Sequence, residues 1–475
     1  MHLFGQSTMI TKELIYSRAP YFFKYILFNC AAFVNFIRRF SGNFKIYLSE
    51  YENNLLLSKD ELELYQENKI KELLLECLSH SDWYKSKMKS SRISKSEIIS
   101  NPIIALKKLP ILLKEERKQF VEEIVNQNPK FKTIEVGYTS GTSGAPTKNY
   151  LDLQSIRRSM AIWKRYHKSL GIKRSDRQIR FSGNKIINIE TTLPPFWIYN
   201  FFENQILFST YHLNENNSRH YINKMNQFKP KLLDGYPSGI HELAKFILKS
   251  NIKLSFTPKA IVVTAETLYA NQREDIERAF NCKVFNQYAS SEGSPFITEC
   301  LHGKLHVNTD TGFFEFLTTD NKVAKPGEIA KMVVTSFRNN KTPLLRYDIE
   351  DCVLLSKETI KCACGSVMPV IEKIIGREDD LLVSVNGTLI GMMAYRVFKY
   401  AKNITKGQII QKSKLHVIIN VEVTPDFRTQ DDEFLKEKIK EALGKEVFTE
   451  VKLTEKIPFS ANGKFRPIIR EFSLN

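Results

Sequence analysis

The chain has 475 residues, more than a single hydrophobic core usually organises. Apolar residues make up 42% of the sequence, which excludes a disordered chain. The formal net charge of +18 suits an anionic partner, either a nucleic acid, a lipid surface or a nucleotide. The basic residues are spread along the chain, without zinc-finger spacing or an aromatic-basic platform, so we expect no nucleic-acid partner. The seven cysteines do not suggest a disulfide framework.

The first strongly apolar segment runs from Tyr21 to Ile37 and is followed by Arg38 and Arg39. With about 17 residues and several polar positions, it is short and polar for a membrane span. We expect either an amphipathic helix packed against the core, which is the favoured alternative, or a helix at a membrane surface. No cleavable signal sequence is recognised. These features predict a cytoplasmic protein, which under the second alternative is peripheral at the inner membrane face.

Apolar residues recur at helical spacing between residues 52 and 90, so residues 1–90 are predicted to form a helical region. The next distinctive segment, Tyr138 to Lys148, combines hydroxyl residues, two glycines and a lysine. Backbone N–H groups and hydroxyls of such a loop can surround a polyphosphate, although a solvated turn is the alternative for the loop taken alone. The spacing between Gly144 and Lys148 is not that of a P-loop NTPase.

Helical patterns and short β-branched runs then alternate, which is typical of a buried parallel sheet. The predicted helices span residues 151–170 and 269–280, and the predicted strands span residues 259–264, 283–285, 328–334 and 351–355. The last two strands are expected to be antiparallel.

From about residue 381 the pattern becomes strand, helix, strand (415–423), helix (431–443), strand (451–453), followed by a basic tail. This order predicts a small α+β domain of the split-βαβ kind. We therefore divide the chain into residues 1–90, a large domain at 91–376, and a small C-terminal domain at 377–475.

Six short motifs occur in an order that resembles the adenylate-forming superfamily, which includes acyl-CoA synthetases and adenylation domains. The motifs are Tyr138–Lys148, Thr264–Glu266, Asn286–Gly293, Arg346–Asp351, Gly376–Asp380 and Asn462–Arg466. Three more segments are similar to phenylacetate–CoA ligase-like proteins of the capsular-polysaccharide branch, namely Pro194–Trp197, Ser209–Leu213 and Gly235–Ser238. The resemblance implies an α/β fold, with a large domain of layered sheets that includes a β-barrel-like part, and a small mobile α+β lid.

The resemblance also implies an ATP site, in which each residue type suits its role. The β- and γ-phosphates would be held by Thr139, Ser140, Gly141, Thr142, Ser143, Gly144 and Lys148. The adenine would lie against Ala265, Glu266, Asn286, Gln287 and Tyr288. The ribose hydroxyls would bind Asp351 and Arg377, since a carboxylate is a good double acceptor for a diol.

The same resemblance implies the reacting centre. Glu292, next to Ser291, would be a Mg²⁺ ligand, because that ion prefers hard oxygen donors. Lys464 on the lid would neutralise charge that develops on the α-phosphate. Asp379 matches the hinge about which the lid turns. The acyl or acceptor pocket would be lined by Phe196, Trp197, Tyr211, His212 and Tyr236.

Two positions depart from the family pattern. Glu350 stands where a glycine usually precedes the ribose aspartate, and Ala289 stands where a glycine usually follows the adenine-site tyrosine. Neither change removes a charged functional group, so we expect an active enzyme with slightly altered loop geometry.

Cysteines and histidines around two glycine turns predict a structural zinc site. The predicted ligands are Cys300, His306, Cys362 and Cys364, and three thiolates with one imidazole form a closed tetrahedral set. Phenylacetate–CoA ligase-like proteins share a similar pattern. Free cysteines in a reduced interior are the alternative, because a Cys-x-Cys spacing is tighter than the usual one.

These features predict an AMP-forming ligase that uses ATP, Mg²⁺ and a small carboxylic or amino acid, in capsule, O-antigen or exopolysaccharide biosynthesis. Coenzyme A, an amino sugar and a lipid-linked glycan remain open as acceptors, with amidation of a sugar by an amino acid as one example. An acyl-CoA ligase for an aromatic acid is the first alternative. A non-catalytic basic binding protein is the second.

Overall fold

The computed structural model describes residues 20–138, 147–184, 186–290, 292–358, 360–377, 381–385, 389–390, 393–398, 401–458 and 465–472. Its N-terminal part is helical well beyond the predicted limit at residue 90. The helices are α1 (Tyr21–Phe40), α2 (Phe44–Asn54), α3 (Lys59–His80), α4 (Asp82–Ser90), α5 (Lys95–Ser100), α6 (Pro102–Lys108), α7 (Lys114–Gln119) and α8 (Val121–Ile124). Leu74 of α3 and Leu106 of α6 share one apolar core with the sheet residues Val307 and Tyr347. This helical region is therefore packed onto the large domain.

The large domain is organised around a mixed sheet of twelve strands, β3 to β14. The strands after an initial hairpin of β1 (Glu135–Tyr138) and β2 (Lys148–Leu151) are β3 (Gln178–Ser182), β4 (Trp197–Asn200), β5 (Gln205–Ser209), β6 (Leu232–Gly235), β7 (Ala260–Val263), β8 (Val284–Ala289), β9 (Phe296–Glu299), β10 (Leu305–Val307), β11 (Gly312–Leu317), β12 (Ile329–Ser336), β13 (Tyr347–Leu355) and β14 (Val370–Arg377). The helices between them are α9 (Leu153–Ser169), α10 (Glu215–Phe228), α11 (Pro237–Lys249) and α12 (Ala270–Phe280).

The sheet has a parallel half and an antiparallel half. The spatial order is β11-β12-β13-β14-β10-β9-β8-β7-β6-β3-β5-β4, and β5, β3, β6, β7 and β8 run parallel. The predicted strand–helix–strand unit is confirmed as β7, α12 and β8, and the predicted antiparallel strands are confirmed as β12 and β13. Since ligands of such sheets gather at the carboxyl ends of the strands, the ends of β7 and β8 mark the place to look for a site.

The C-terminal part forms a second, smaller α+β unit. Its elements are β15 (Leu382–Val383), β16 (Leu389–Ile390), α13 (Met393–Phe398), β17 (Ile404–Ser413), β18 (His416–Val423), α14 (Thr429–Leu443), β19 (Phe448–Leu453) and β20 (Ile468–Arg470). The sequence analysis missed β17, which forms an antiparallel hairpin with β18 in a sheet of order β19-β18-β17-β20. Leu435 and Ile439 of α14 pack on this sheet and close its core. The fold is thus a mixed α/β domain followed by a small α+β domain, as the sequence predicts.

Helix α1 lies against β4, an edge strand of the large sheet. The Tyr21 hydroxyl donates to the Trp197 carbonyl (3.0 Å), and the Asn29 amide donates to the Tyr199 carbonyl (3.0 Å). Lys24 and Ala32 are its buried residues, while most of its large apolar side chains are exposed. Phe28 and Phe40 nevertheless pack against buried core residues, so the favoured prediction of a core-packed amphipathic helix holds for one side of the helix and does not account for its exposed apolar residues.

None of the helices formed by the described residues has the length and hydropathy needed to cross a membrane.

Candidate active site and metal centre

The hydroxyl- and glycine-rich loop connects the strands of the β1–β2 hairpin, in which Tyr138 lies opposite Lys148. Residues 139–144, predicted to hold the phosphates, lie outside the described residues, but the hairpin fixes the two ends of their loop. Lys148 is on the solvent side, where its Nζ lies 2.9 Å from Glu122 Oε1. The hydrogen bond that Lys148 donates to this carboxylate raises the pKa of Lys148. In this structure, its ammonium group is thus paired with a surface carboxylate.

A buried arginine that sequence reasoning missed lies at the base of the same hairpin. Arg117 of α7 is fully buried, and its Nη2 donates to the Lys148 carbonyl (3.3 Å) and to Asn149 Oδ1 (3.2 Å). Its guanidinium lies over the Tyr347 ring, 5.5 Å from the centroid. Within the described part of the chain, Nε and Nη1 have no hydrogen-bond partner. Arg117 is flanked in sequence by Glu116 and Lys118 and resembles a solvated surface helix, so no sequence signal marked it.

The predicted Mg²⁺ ligand, Glu292, is buried just beyond the end of β8. Burial, and then the Glu292 carboxylate, raise the pKa of the Tyr347 hydroxyl, so this carboxylate lies near the hydroxyl of the tyrosine whose ring Arg117 overlies. Gly293 has φ of +99°, a conformation that favours glycine, and its carbonyl accepts a hydrogen bond from Ser336 Oγ at 3.4 Å. The turn that carries Glu292 is therefore hydrogen-bonded to the last residue of β12. Ser291 lies outside the described residues.

The two predicted ribose ligands come from neighbouring strands. Asp351 of β13 lies opposite Arg377 of β14 in the strand register, and the Tyr288 hydroxyl of β8 donates to Asp351 Oδ2. Three separate strands thus bring the predicted adenine and ribose contacts together. The Arg377 side chain and Asp379 are not among the described parts of the chain.

The remaining adenine-site residues cluster at the ends of β7 and β8. Ala265 has φ of +69°, and the adjacent Glu266 accepts a hydrogen bond from the Ser238 amide at 3.1 Å through Oε2. Asn286 is half-buried on β8, where its backbone N–H donates to Glu299 Oε2 at 2.7 Å. Gln287 is buried, and its side-chain amide has no hydrogen-bond partner in the described residues. Because side chains alternate along a strand, Gln287 faces away from the surface that Asn286 and Tyr288 share.

The five aromatic residues predicted to line the acyl pocket divide into two groups. The Tyr211 hydroxyl donates to the Gly183 carbonyl (3.0 Å), and burial raises the pKa of Tyr236, with a backbone hydrogen bond from Gly183 lowering it and the Glu266 carboxylate raising it. These two tyrosines therefore lie together beside the adenine-site carboxylate, Glu266.

The other three aromatic residues belong to the core. Phe196 is fully buried and stacks on His212 with ring centroids 5.0 Å apart. His212 Nδ1 lies 2.7 Å from Ser209 Oγ, and burial lowers its pKa. Trp197 packs against Phe208 with ring centroids 5.8 Å apart. We therefore keep Tyr211 and Tyr236 as the pocket prediction, and assign packing roles to Phe196, Trp197 and His212.

The structure brings the four predicted zinc ligands together at the C-terminal end of β9, whereas Glu292 precedes the N-terminal end of that strand. Sγ of Cys300, Nε2 of His306, Sγ of Cys362 and Sγ of Cys364 all lie within 4.8 Å of one another. Cys300 Sγ is 3.6 Å from Cys362 Sγ, and Cys364 Sγ is 3.4 Å from His306 Nε2. His306 Nδ1 lies 3.1 Å from the Met368 carbonyl, so Nδ1 is the donor and Nε2 keeps its lone pair for a metal.

Comparisons with known proteins agree with this architecture. Residues 382–471 match the family described as the CapK C-terminal domain. The chain is 32% identical to Protein CapK of Staphylococcus aureus over 95% of this chain and 98% of that protein. It is 27% identical to the phenylacetate-coenzyme A ligase of Thermus thermophilus over 33% of this chain and 36% of that protein. It is 26% identical to the indoleacetate–lysine synthetase of Pseudomonas savastanoi over 37% of this chain and 40% of that protein.

Among solved structures, a 2-hydroxyisobutyryl-CoA ligase in the postadenylation state has a similar fold, with a TM-score of 0.65 and 16% identity. The similarity covers 85% of this chain and 88% of that one. At this level of identity the likeness extends to the fold alone.

Proposed function

Because this chain belongs to the CapK branch of the adenylate-forming superfamily, we propose that it activates a carboxylic acid with ATP and passes the acyl group to an acceptor. The observation that carries the proposal is the meeting of Tyr288, Asp351 and the Arg377 backbone across three strands. A nucleoside needs an aromatic surface for its base and a carboxylate for its ribose diol, and this arrangement supplies both.

The reaction would take place in two steps. A carboxylate oxygen attacks the α-phosphorus of ATP, the bond from that phosphorus to the bridging oxygen breaks, and pyrophosphate leaves. An acceptor then attacks the acyl carbon, loses its proton, and displaces AMP. No side-chain nucleophile is needed, so catalysis depends on positioning and on neutralising charge.

Two cationic groups of this chain, Arg117 and Lys464, would neutralise charge around the phosphates. Arg117 is buried at the base of the hairpin whose loop is predicted to hold them. Lys464 lies outside the described residues, and its role at the α-phosphate is what the resemblance implies. Glu292 is buried, and among the described residues no cation pairs with its carboxylate, so it fits a ligand of Mg²⁺, which when bound would compensate phosphate charge there.

The acceptor is proposed to be an amine, with amide formation on an amino sugar or a lipid-linked glycan of a surface polysaccharide. Support comes from the resemblance to the capsular-polysaccharide branch and from the similarity to an indoleacetate–lysine synthetase. Coenzyme A is the second candidate, because the chain is also similar to a phenylacetate-coenzyme A ligase. We place the reaction in the cytoplasm, where ATP is available.

We further propose that the cysteine–histidine cluster, defined by Cys300, His306, Cys362 and Cys364, holds structural zinc. Tetrahedral zinc with bond lengths of about 2.3 Å to sulfur and about 2.0 Å to nitrogen separates two sulfurs by about 3.8 Å and a sulfur from a nitrogen by about 3.5 Å. The Cys300–Cys362 and Cys364–His306 separations of 3.6 Å and 3.4 Å fit these values. All four positions are filled by side chains, so the metal would have a structural role.

The test is pyrophosphate release from ATP by the full-length protein with a panel of carboxylic and amino acids. We expect release with one class of acid, and consumption of the adenylate when the matching acceptor is added. Amino sugars and coenzyme A, supplied separately, distinguish the two acceptor classes. Absence of pyrophosphate release and of ATP binding across the panel would contradict the proposal and favour a non-catalytic binding protein.

A further inference from the structure

Helix α1 packs on the domain through Phe28 and Phe40 but also exposes an apolar face of the kind that a surface helix normally buries. Six of its large apolar side chains project to solvent, each between 42% and 58% exposed, namely Phe23, Ile26, Leu27, Phe33, Val34 and Ile37. They recur every three or four residues and therefore form one stripe along one side of the helix. A soluble surface helix normally turns such a stripe toward the core.

Polar contacts attach the helix to the domain. Asn29 bridges two backbone groups, because its amide donates to the Tyr199 carbonyl and its Oδ1 accepts from the Phe201 amide, both at 3.0 Å. Arg39 Nη1 lies 2.7 Å from Glu203 Oε1 at the C-terminal end of the helix. Most of the apolar stripe is not needed for these contacts, so its exposure calls for a separate explanation.

The charge around the stripe favours an anionic surface. From Pro20 to Ser49 the sequence has no acidic residue and four basic ones, of which Lys24 is buried and Arg39 is paired with Glu203. Arg38 and Arg39 occupy the last turn of α1, and Arg174 lies over the rings of Phe36 and Phe40 at 4.8 Å from each centroid. Basic side chains beside an apolar stripe are what an interfacial helix presents to anionic headgroups.

From this combination we propose that α1 docks the protein onto an anionic lipid surface. The helix lies parallel to that surface, the stripe enters the boundary between headgroups and acyl chains, and Arg38 and the exposed Arg174 contact the headgroups. This inference does not depend on the proposed reaction, since it concerns a face distinct from the nucleotide-site strands.

The test is co-sedimentation of the full-length protein with vesicles of neutral lipid and with vesicles that contain an anionic phospholipid, at low and high salt. We expect binding to the anionic vesicles, weakened by salt. The variant Phe23→Gln/Leu27→Gln/Val34→Gln should lower the partition coefficient on the order of 100-fold, because three half-exposed apolar groups no longer enter the lipid. Its melting temperature should be unchanged, which shows that the protein is still folded.

The matched control is Leu56→Gln/Leu64→Gln/Ile104→Gln, which removes exposed apolar surface elsewhere in the helical region and should bind vesicles like the wild type. Wild-type protein that stays in the supernatant with every vesicle would overturn the proposal. If the wild type then proves dimeric and the α1 variant monomeric, the stripe is instead an interface with a second copy. Equal binding to neutral vesicles would overturn the anionic part of the proposal.

Discussion

The nucleotide site and the cysteine–histidine cluster both gather residues that are distant in sequence, but they are built in different ways. The cluster comes from two tight turns, and its Cys300 amide donates to the Lys304 carbonyl within one of them. The nucleotide site comes from the ends of several strands. The Tyr288–Asp351 hydrogen bond joins two of those strands.

The difference lies in what each region leaves for a ligand. In the cluster, four donor atoms lie within 4.8 Å of one another and would fill all four positions of a tetrahedral metal, so a metal there would add stability and do no chemistry. In the nucleotide site, Arg117 and Glu292 are buried, and neither forms an ion pair with another of the described residues. Substitutions in the first region should therefore change folding, and substitutions in the second should change activity.

The largest effect is expected for Cys362→Ser. Loss of one thiolate should release about one equivalent of zinc and cost about 5 kcal/mol or more of local folding free energy. Thermal unfolding and elemental analysis of the purified protein measure the two quantities. Cys282→Ser, which changes a half-buried thiol outside the cluster, is the control. Wild-type protein purified without any zinc would contradict the metal assignment.

Lys464→Ala should give the opposite pattern. Loss of a charge-neutralising donor should lower the rate of ATP–pyrophosphate exchange by about 10²–10³, while the melting temperature and ATP binding stay close to wild type. Lys456→Ala, which removes an exposed lysine from the same C-terminal region, should leave the exchange rate unchanged. Near wild-type exchange in Lys464→Ala would show that the lid lysine has another role.

The smallest effect is expected for Tyr288→Phe. The variant keeps the aromatic ring for the base but removes the hydroxyl that donates to Asp351. A hydrogen bond to a charged group is worth about 1.5 kcal/mol at the low end, so the KM for ATP should rise about tenfold with little change in kcat. Steady-state kinetics over a range of ATP concentrations measure both. A fall in kcat with an unchanged KM would place Tyr288 at the reacting centre.

Local patterns explain why much of the fold could be predicted from the sequence. The β7–α12–β8 unit followed from β-branched runs on either side of a helical period, because burial on both faces of a parallel sheet requires such runs. The four metal-ligand candidates followed from glycine turns flanked by thiols and imidazoles, and the structure brings these four together. Each half of the cluster can be recognised within a few neighbouring residues, although Cys300 and Cys362 are 62 residues apart and only the fold joins them.

Long-range packing explains what the sequence analysis missed. Arg117 occurs in a segment that reads as a solvated helix, and only the fold buries it between the hairpin and Tyr347. The aromatic residues Phe196 and Tyr211 looked equivalent in sequence, yet Phe196 entered the core while Tyr211 bonded to the Gly183 carbonyl. Periodicity likewise showed that α1 is amphipathic, but which side faces inward was decided by the carbonyl groups of β4 that bind its polar residues. The sequence by itself therefore determined several of the elements, the order of the motifs and the members of the cysteine–histidine cluster. The tertiary structure decided which side chains are buried and which face solvent, because burial depends on contacts between segments far apart in the chain.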